Sequence, residues 1–180
     1  MTPWWPLALV LLLVGCMRVR PPLPVMQTVP PFTLTTAAGT PFHSDSLHGQ
    51  VWVADFIFTT CDGPCPRMTS QMRQVQDALA GVPQLKLVSF TVDPEHDTPE
   101  AMAQYAKRQK ADPNRWVFLT GPRQTLHSLC REAFLLGNVD GTLNHSTRFV
   151  LVDRECRVRG YYDTSEASSI PKLIGDIRSL

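Results

Sequence analysis

Residues 51–72 read VWVADFIFTTCDGPCPRMTSQM, and the way this stretch divides decides the fold. Residues 51–59 form an apolar run bounded by a turn, the pattern of a buried strand. Cys61, Asp62, Gly63 and Pro64 make the turn. Cys65 and Pro66 then open a helix, because proline is favoured at the first helical position, where its missing N–H has no partner and its φ is already set. Cys65 therefore stands at a helix N-terminus, with Cys61 in the turn before it. The unpaired N–H groups and the positive end of the helix dipole favour a thiolate there, so at least one of the two thiols is expected to ionise easily. Two such thiols can close as a Cys61–Cys65 disulfide or hold a soft metal ion.

Downstream, the helix is expected over residues 66–80. Met68, Met72, Val75 and Leu79 recur at three- and four-residue spacing, so Met68 reads as a core residue rather than a ligand. Gly81 and Pro83 end the helix. Residues 85–92 form a second strand. The turn DPEHDTPE at 93–100 leads into a helix that Asp97 or Thr98 can cap and that ends near residue 110. A third strand covers 116–120, a third helix 123–134 and a polar loop 137–144. Strands at 148–153 and 158–162 pair around Arg154, Glu155 and Cys156, and a helix over 170–180 closes the chain. Residues 32–42 read as a hairpin, and 44–48 as one helical turn, with His43 and His48 on the surface. Strands alternating with helices predict an α/β fold: a central, mostly parallel sheet flanked by helices, with an N-terminal β-hairpin extension. A cysteine turn between the first core strand and its helix makes the pattern thioredoxin-like.

Upstream, residues 1–15 carry no charged side chain, and the apolar run 7–14 is too short to span a bilayer comfortably. It matches a signal-peptide core. It ends in Leu13-Val14-Gly15-Cys16, the form of a bacterial lipoprotein signal in which Cys16 is acylated and becomes the new N-terminus; the lack of Lys or Arg before the apolar run departs from that form. An uncleaved anchor or ordinary cleavage are the other readings. All three export the chain and place it in the cell envelope. Cleavage before Cys16 leaves 180 − 15 = 165 residues. The Pro-rich segment 16–31 is expected to be an extended tether, its Met17 and Met26 without a role, leaving 32–180 as the domain.

Hydrophobic residues at 43% with charged residues at 18% describe a globular chain, and a net charge of +1 with no block of like charge gives no reason to expect nucleic acid.

Three segments taken together, DFIFTTCDGPCPRMT, SFTVDPEHDTPE and NHSTRFVLVD, resemble the Sco/SenC family from about residue 32 to the C-terminus. The resemblance implies a membrane-tethered, thioredoxin-fold copper protein that serves cytochrome c oxidase assembly. It implies copper ligands at Cys61, Cys65 and His145, and an acidic turn at Asp93 and Asp97. The implied partners are the copper-bearing subunit of the oxidase or another copper chaperone. The implied location is the outer side of the bacterial cytoplasmic membrane or the periplasm. The chemistry agrees: thiolates select Cu(I), and imidazole suits copper in either oxidation state. Three residues between the cysteines, against the two usual in thioredoxin-like exchangers, give both sulfurs freedom to hold one ion. Of the two acids, Asp93 is expected to orient the ligand histidine and Asp97 to serve structure. Asp55 lies six residues before Cys61, the offset of the buried proton-accepting Asp of thioredoxins; burial would raise its pKa and let it take a proton from a thiol. Cys130 and Cys156 depart from the family pattern; they are either bridged, as export permits, or two unpaired thiols. Two other activities remain open to this pattern: a metal-free thiol-disulfide oxidoreductase using Cys61 and Cys65, and, last, a thiol peroxidase, for which no active-site motif is seen.

Overall fold

The structure, a computed structural model, describes residues 21–137 and 146–180. Its elements begin with the strands β1 (Gln27–Thr28), β2 (Thr33–Thr36) and β3 (Pro41–His43), then a 3₁₀ turn, Ser44–Leu47. The α/β part follows as β4 (Val51–Ile57), α1 (Cys65–Ala78), β5 (Leu85–Thr91), α2 (Pro99–Arg108), β6 (Trp116–Thr120) and α3 (Arg123–Ser128). A π-helical turn, Leu129–Ala133, ends what the sequence presents as one third helix. The chain closes with β7 (Arg148–Val152), β8 (Arg157–Asp163) and α4 (Ser169–Ile177).

All strands join one sheet in the order β1-β8-β7-β4-β5-β6-β2-β3. Its centre, β4, β5 and β6, is parallel, as strands joined by helices must be. Both flanks are antiparallel. The expected hairpin at residues 32–42 forms and extends the sheet through β2 on β6. The final hairpin inserts rather than adding an edge: β7 lies against β4, and β8 is covered by β1.

That outer strand changes the reading of the Pro-rich segment. Gln27 and Thr28 pair with Val158 and Arg157, and Val29 is buried. Arg159 donates from Nε to the Pro24 carbonyl at 3.0 Å and from Nη2 to the Leu23 carbonyl, while its Nη1 donates to Asp153 at 2.7 Å. From Leu23 onward the expected spacer is therefore a strap fixed along β8. Two-residue strands have no sequence periodicity to show them.

Every residue of β4 is buried, so its side chains alternate between two cores. Trp52, Ala54 and Phe56 face one core, where Phe56 stacks on Phe90 with centroids 5.0 Å apart and Phe134 of the π turn's end meets both edges-on or tilted. Val51, Val53 and Ile57 face the other, against α1, α2 and α4. Met68, Met72, Val75 and Leu79 are each fully buried there, as the helical spacing predicts. The parallel centre leaves the C-terminal ends of β4, β5 and β6 on one edge, the place where loops of such sheets assemble sites.

Candidate metal centre

The loop 58–64 leaves β4 at that edge and delivers Cys61 and Cys65. Pro64 stands at the N-cap of α1 without a side-chain cap, and Pro66 occupies its first turn. Thr69, one turn on, donates to the Cys65 carbonyl at 2.8 Å and meets the Tyr105 hydroxyl of α2 at 2.7 Å, tying the helix start to its neighbour. Neither cysteine is in a disulfide, and the two thiols are near enough to hydrogen-bond to each other.

Their environments differ, and this corrects one expectation. Cys65 is 1% exposed, and burial pushes its thiol far above the ordinary range, with the Cys61 hydrogen bond adding to the rise. The Phe58 backbone hydrogen bond works the other way without offsetting it. The helix N-terminus therefore does not make Cys65 easily ionised: desolvation outweighs the dipole. Cys61, half-exposed, is the sulfur that a partner or an ion meets first.

The acidic turn at 93–98 holds the cysteine loop in place. Asp97 is fully buried, and its carboxyl group accepts the Thr59 N–H at 3.2 Å, the Thr59 hydroxyl at 2.5 Å and the Thr91 hydroxyl at 2.5 Å. One side chain thus joins the end of β5 to the residue two before Cys61. Thr98, not Asp97, caps α2, accepting the Ala101 N–H at 3.3 Å. Asp93 pairs with His96, its Oδ2 lying 2.8 Å from Nδ1, and the pair raises the imidazole's pKa. Sequence reasoning missed Thr59, Thr91 and His96; threonines at the ends of adjacent strands beside an Asp-rich turn were the available signal.

Asp55 lies on the face of β4 that carries Val53 and Ile57, beneath α1. It is fully buried, its carboxyl oxygens have no hydrogen-bond partner, and burial raises its pKa to about 7. Ser89, beside it on β5, opposes the rise; the Ser89 hydroxyl also accepts the Trp116 indole N–H at 2.9 Å. The charge of Asp55 in turn raises the Cys65 pKa. The expected buried carboxyl with a raised pKa is what the structure has.

Cys130 and Cys156 are free and buried, so the bridged alternative is not what the structure contains. Cys130 points into the aromatic core from the π turn, and burial pushes its thiol to about 12. Cys156 sits at the β7–β8 turn with φ of 57°. Neither should react with iodoacetamide in the native protein, and both should react on denaturation with or without reductant. Labelling of denatured protein that requires reductant would show a bridge instead.

Among the described residues, no three His, Cys, Asp or Glu side chains group closely enough to hold a metal ion. His145 and Cys16 lie outside the described residues, so the described part of the centre is a dithiol. Paired, reduced, soft donors at a sheet edge fit a soft cation. Among the described residues, no helix is long and apolar enough to cross a membrane.

A dithiol between a core strand and its helix, on a sheet with a parallel centre, defines the thioredoxin-like class. Within that class the chain belongs to the SCO1/SenC family, whose profile matches residues 22–180. A SCO1 protein homolog of Bacillus subtilis (strain 168) is 33% identical over 87% of this chain and 84% of its own length. A protein of Stutzerimonas stutzeri named as copper-binding is 29% identical over 77% of this chain and 71% of its own length. The crystal structure of a SCO1/SenC family lipoprotein from Bacillus anthracis str. Ames superposes with a TM-score of 0.78 at 30% identity, covering 86% of this chain and 95% of that one. A second structure, of a Sco-family cytochrome c oxidase assembly protein described as having a disulfide switch, gives 0.77 at 30% identity over 88% and 97%.

Proposed function

We propose that this chain is an envelope-anchored copper chaperone that delivers copper to the copper centre of cytochrome c oxidase, or prepares the thiols of that centre. The observation that carries the reading is the Cys61–Cys65 pair, reduced and in contact, on a loop that Asp97 clamps to the neighbouring strand. A relative named as copper-binding and a Sco-family oxidase-assembly relative described with a disulfide switch support it. Copper is the cargo, and Cys61, Cys65 and His145 are its ligands. Loading requires both thiols to lose their protons. Asp55, whose charge is felt at Cys65 and whose pKa of about 7 suits proton transfer near neutrality, takes the proton from the buried thiol. When the pair instead reduces a disulfide of the acceptor centre, it closes as Cys61–Cys65, its two electrons and two protons pass to the acceptor's sulfurs, and both donors are lost to copper. Acylation of Cys16 holds the domain at the membrane; the similar lipoprotein of Bacillus anthracis str. Ames supports that anchor.

The second reading, a metal-free thiol-disulfide oxidoreductase, is favoured by one observation. The half-exposed and buried sulfurs form an asymmetric pair, as suits exchange by attack of one thiolate. His145→Ala separates the two readings. For a carrier it lowers Cu(I) affinity at least about tenfold, since even groups behind the ligands cost 10–100-fold, and it lowers oxidase activity in cells while the dithiol still reacts. Unchanged affinity together with unchanged oxidase activity would favour the oxidoreductase.

A further inference from the structure

Asp93, expected to orient a ligand histidine, is bonded to His96, with its Oδ2 lying 2.8 Å from Nδ1. A carboxylate only accepts, so the Nδ1 proton lies between the two groups and Nε2 is the nitrogen left for another partner. The Asp93 side chain is 7% exposed and the imidazole 71%. The acid is therefore the fixed half of the pair, and it presents Nε2 to solvent. Ligating histidines use this arrangement, with one nitrogen on a carboxylate and the other on the metal. Asp93, Glu95 and Asp97 surround the imidazole with negative charge, which favours a cation there. Arg123, 2.8 Å from Glu95, offsets part of that charge.

The pair stands beside the cysteine loop. β4 and β5 are parallel neighbours, and their ladder continues one residue past β5, where the Val92 N–H donates to the Ile57 carbonyl at 2.8 Å. Each strand then enters a turn. The Cys61 N–H closes one on the Phe58 carbonyl at 3.4 Å, and the His96 N–H closes the other on the Asp93 carbonyl at 3.2 Å. The turns leave strand ends about 4.8 Å apart, and the bonds from Thr59 to Asp97 join them. Cys61 and His96 are each the fourth residue of their turn, and both reach solvent.

We propose that His96 is a copper-receiving ligand, whose Nε2 binds Cu(I) while the donor still holds the ion and then yields it to Cys61. The inference rests on the copper-chaperone reading and adds the route by which the cargo enters. The step exchanges ligands without a change in oxidation state. A donor ligand leaves Cu(I) as Nε2 binds, any proton on Nε2 goes to solvent, and the Nδ1 proton stays on the bond to Asp93. Cys61 then displaces Nε2 as a thiolate, its proton going to solvent. The donor supplies the other ligands during the exchange, so the step needs no third close ligand from this chain.

Stopped-flow transfer from the Cu(I) complex of bicinchoninate to the full, reduced chain tests this. Loss of the complex's colour gives the rate, and the end point gives the affinity. His96→Ala should slow transfer at least about threefold with the end point unchanged, a loss below the 10–100-fold in affinity that follows when the surroundings of a permanent ligand are altered. His96→Lys keeps a positive charge but offers no lone pair while protonated, so it should be as slow as His96→Ala. Transfer to His96→Ala at the native rate overturns the inference. Transfer to His96→Lys at the native rate also overturns it, because charge alone would then draw in the anionic complex. Equal rates with intact uptake overturn the inference alone, whereas a native dithiol that takes up no copper overturns the chaperone reading with it.

Discussion

Asp97→Ala should lower the thermal midpoint by about 6–12 °C, the shift expected for a loss of about 3 kcal/mol in a domain of this size. The residue is fully buried and accepts two hydroxyl groups and one backbone N–H. Hydrogen bonds to a carboxylate each contribute about 1.5–3 kcal/mol, and a buried donor left without a partner costs about 1–3 kcal/mol. Thr59 and Thr91 relax and find other partners once the side chain is gone, so the loss, about 3 kcal/mol, stays below that sum. The consequence for the site is larger than the stability loss suggests. Thr59 is two residues from Cys61, so the loop 58–64 loses its attachment to β5, and Cys61 and Cys65 lose their fixed separation. Calorimetry measures the first effect, and the rate at which a dithiol oxidant closes the pair measures the second. His96→Ala is the control: its imidazole is exposed and bonds only to Asp93 among the contacts seen here, so it should leave the midpoint in place. A midpoint unchanged in Asp97→Ala would mean that the clamp holds nothing.

Asp55→Asn should stabilise the protein at pH 8 by as much as about 4 kcal/mol and leave it nearly unchanged at pH 4. The folded carboxyl has a pKa of about 7, against an ordinary value of 3.8. A pKa raised by folding means that the folded state favours the protonated form. This contribution is intact below about pH 4, falls as pH rises through the interval from 4 to 7, and is fully lost above 7. Each unit between the two values corresponds to 1.36 kcal/mol, which gives the upper limit of about 4 kcal/mol. Asparagine cannot ionise, so the variant escapes the loss. If Asp55 takes the Cys65 proton as proposed, the same variant should also slow disulfide closure near pH 7. Urea unfolding of both proteins across pH 4 to 8 gives the stability difference at each pH. Parallel curves would show that Asp55 is solvated or paired in solution, contrary to its unpartnered oxygens.

The contrast between these two acids shows what the sequence could reveal. The strand at 51–57, the cysteine turn and the helix face of Met68, Met72, Val75 and Leu79 were legible because each is set by local pattern: an apolar run, a proline at the helix start, a repeat of three and four. The unusual position of Asp55 was legible because it interrupts such a run. That Asp97 serves structure was legible too, but not what it holds. Local chemistry offers it as a helix cap, but its partners, Thr59 and Thr91, come together only when β4 and β5 align in parallel. The pKa of Cys65 was misread for a related reason. A helix start is visible in sequence, whereas the burial that overrides it depends on how α1 packs against the sheet. β1 and the pinning of the strap by Arg159 depend on contacts across more than 130 residues, with |i−j| of 135 and 136, and no local pattern encodes them.

The most direct test of the account is a Cu(I) titration of the purified protein in its two redox states, with a competing chromophoric chelator as the reference. The account predicts that the dithiol form takes up about one equivalent, that Cys61→Ser and Cys65→Ser each abolish this uptake, and that the Cys61–Cys65 disulfide form takes up none, because soft thiolate donors are what hold the ion. Equal uptake by the dithiol and disulfide forms would place copper elsewhere on the molecule and contradict it.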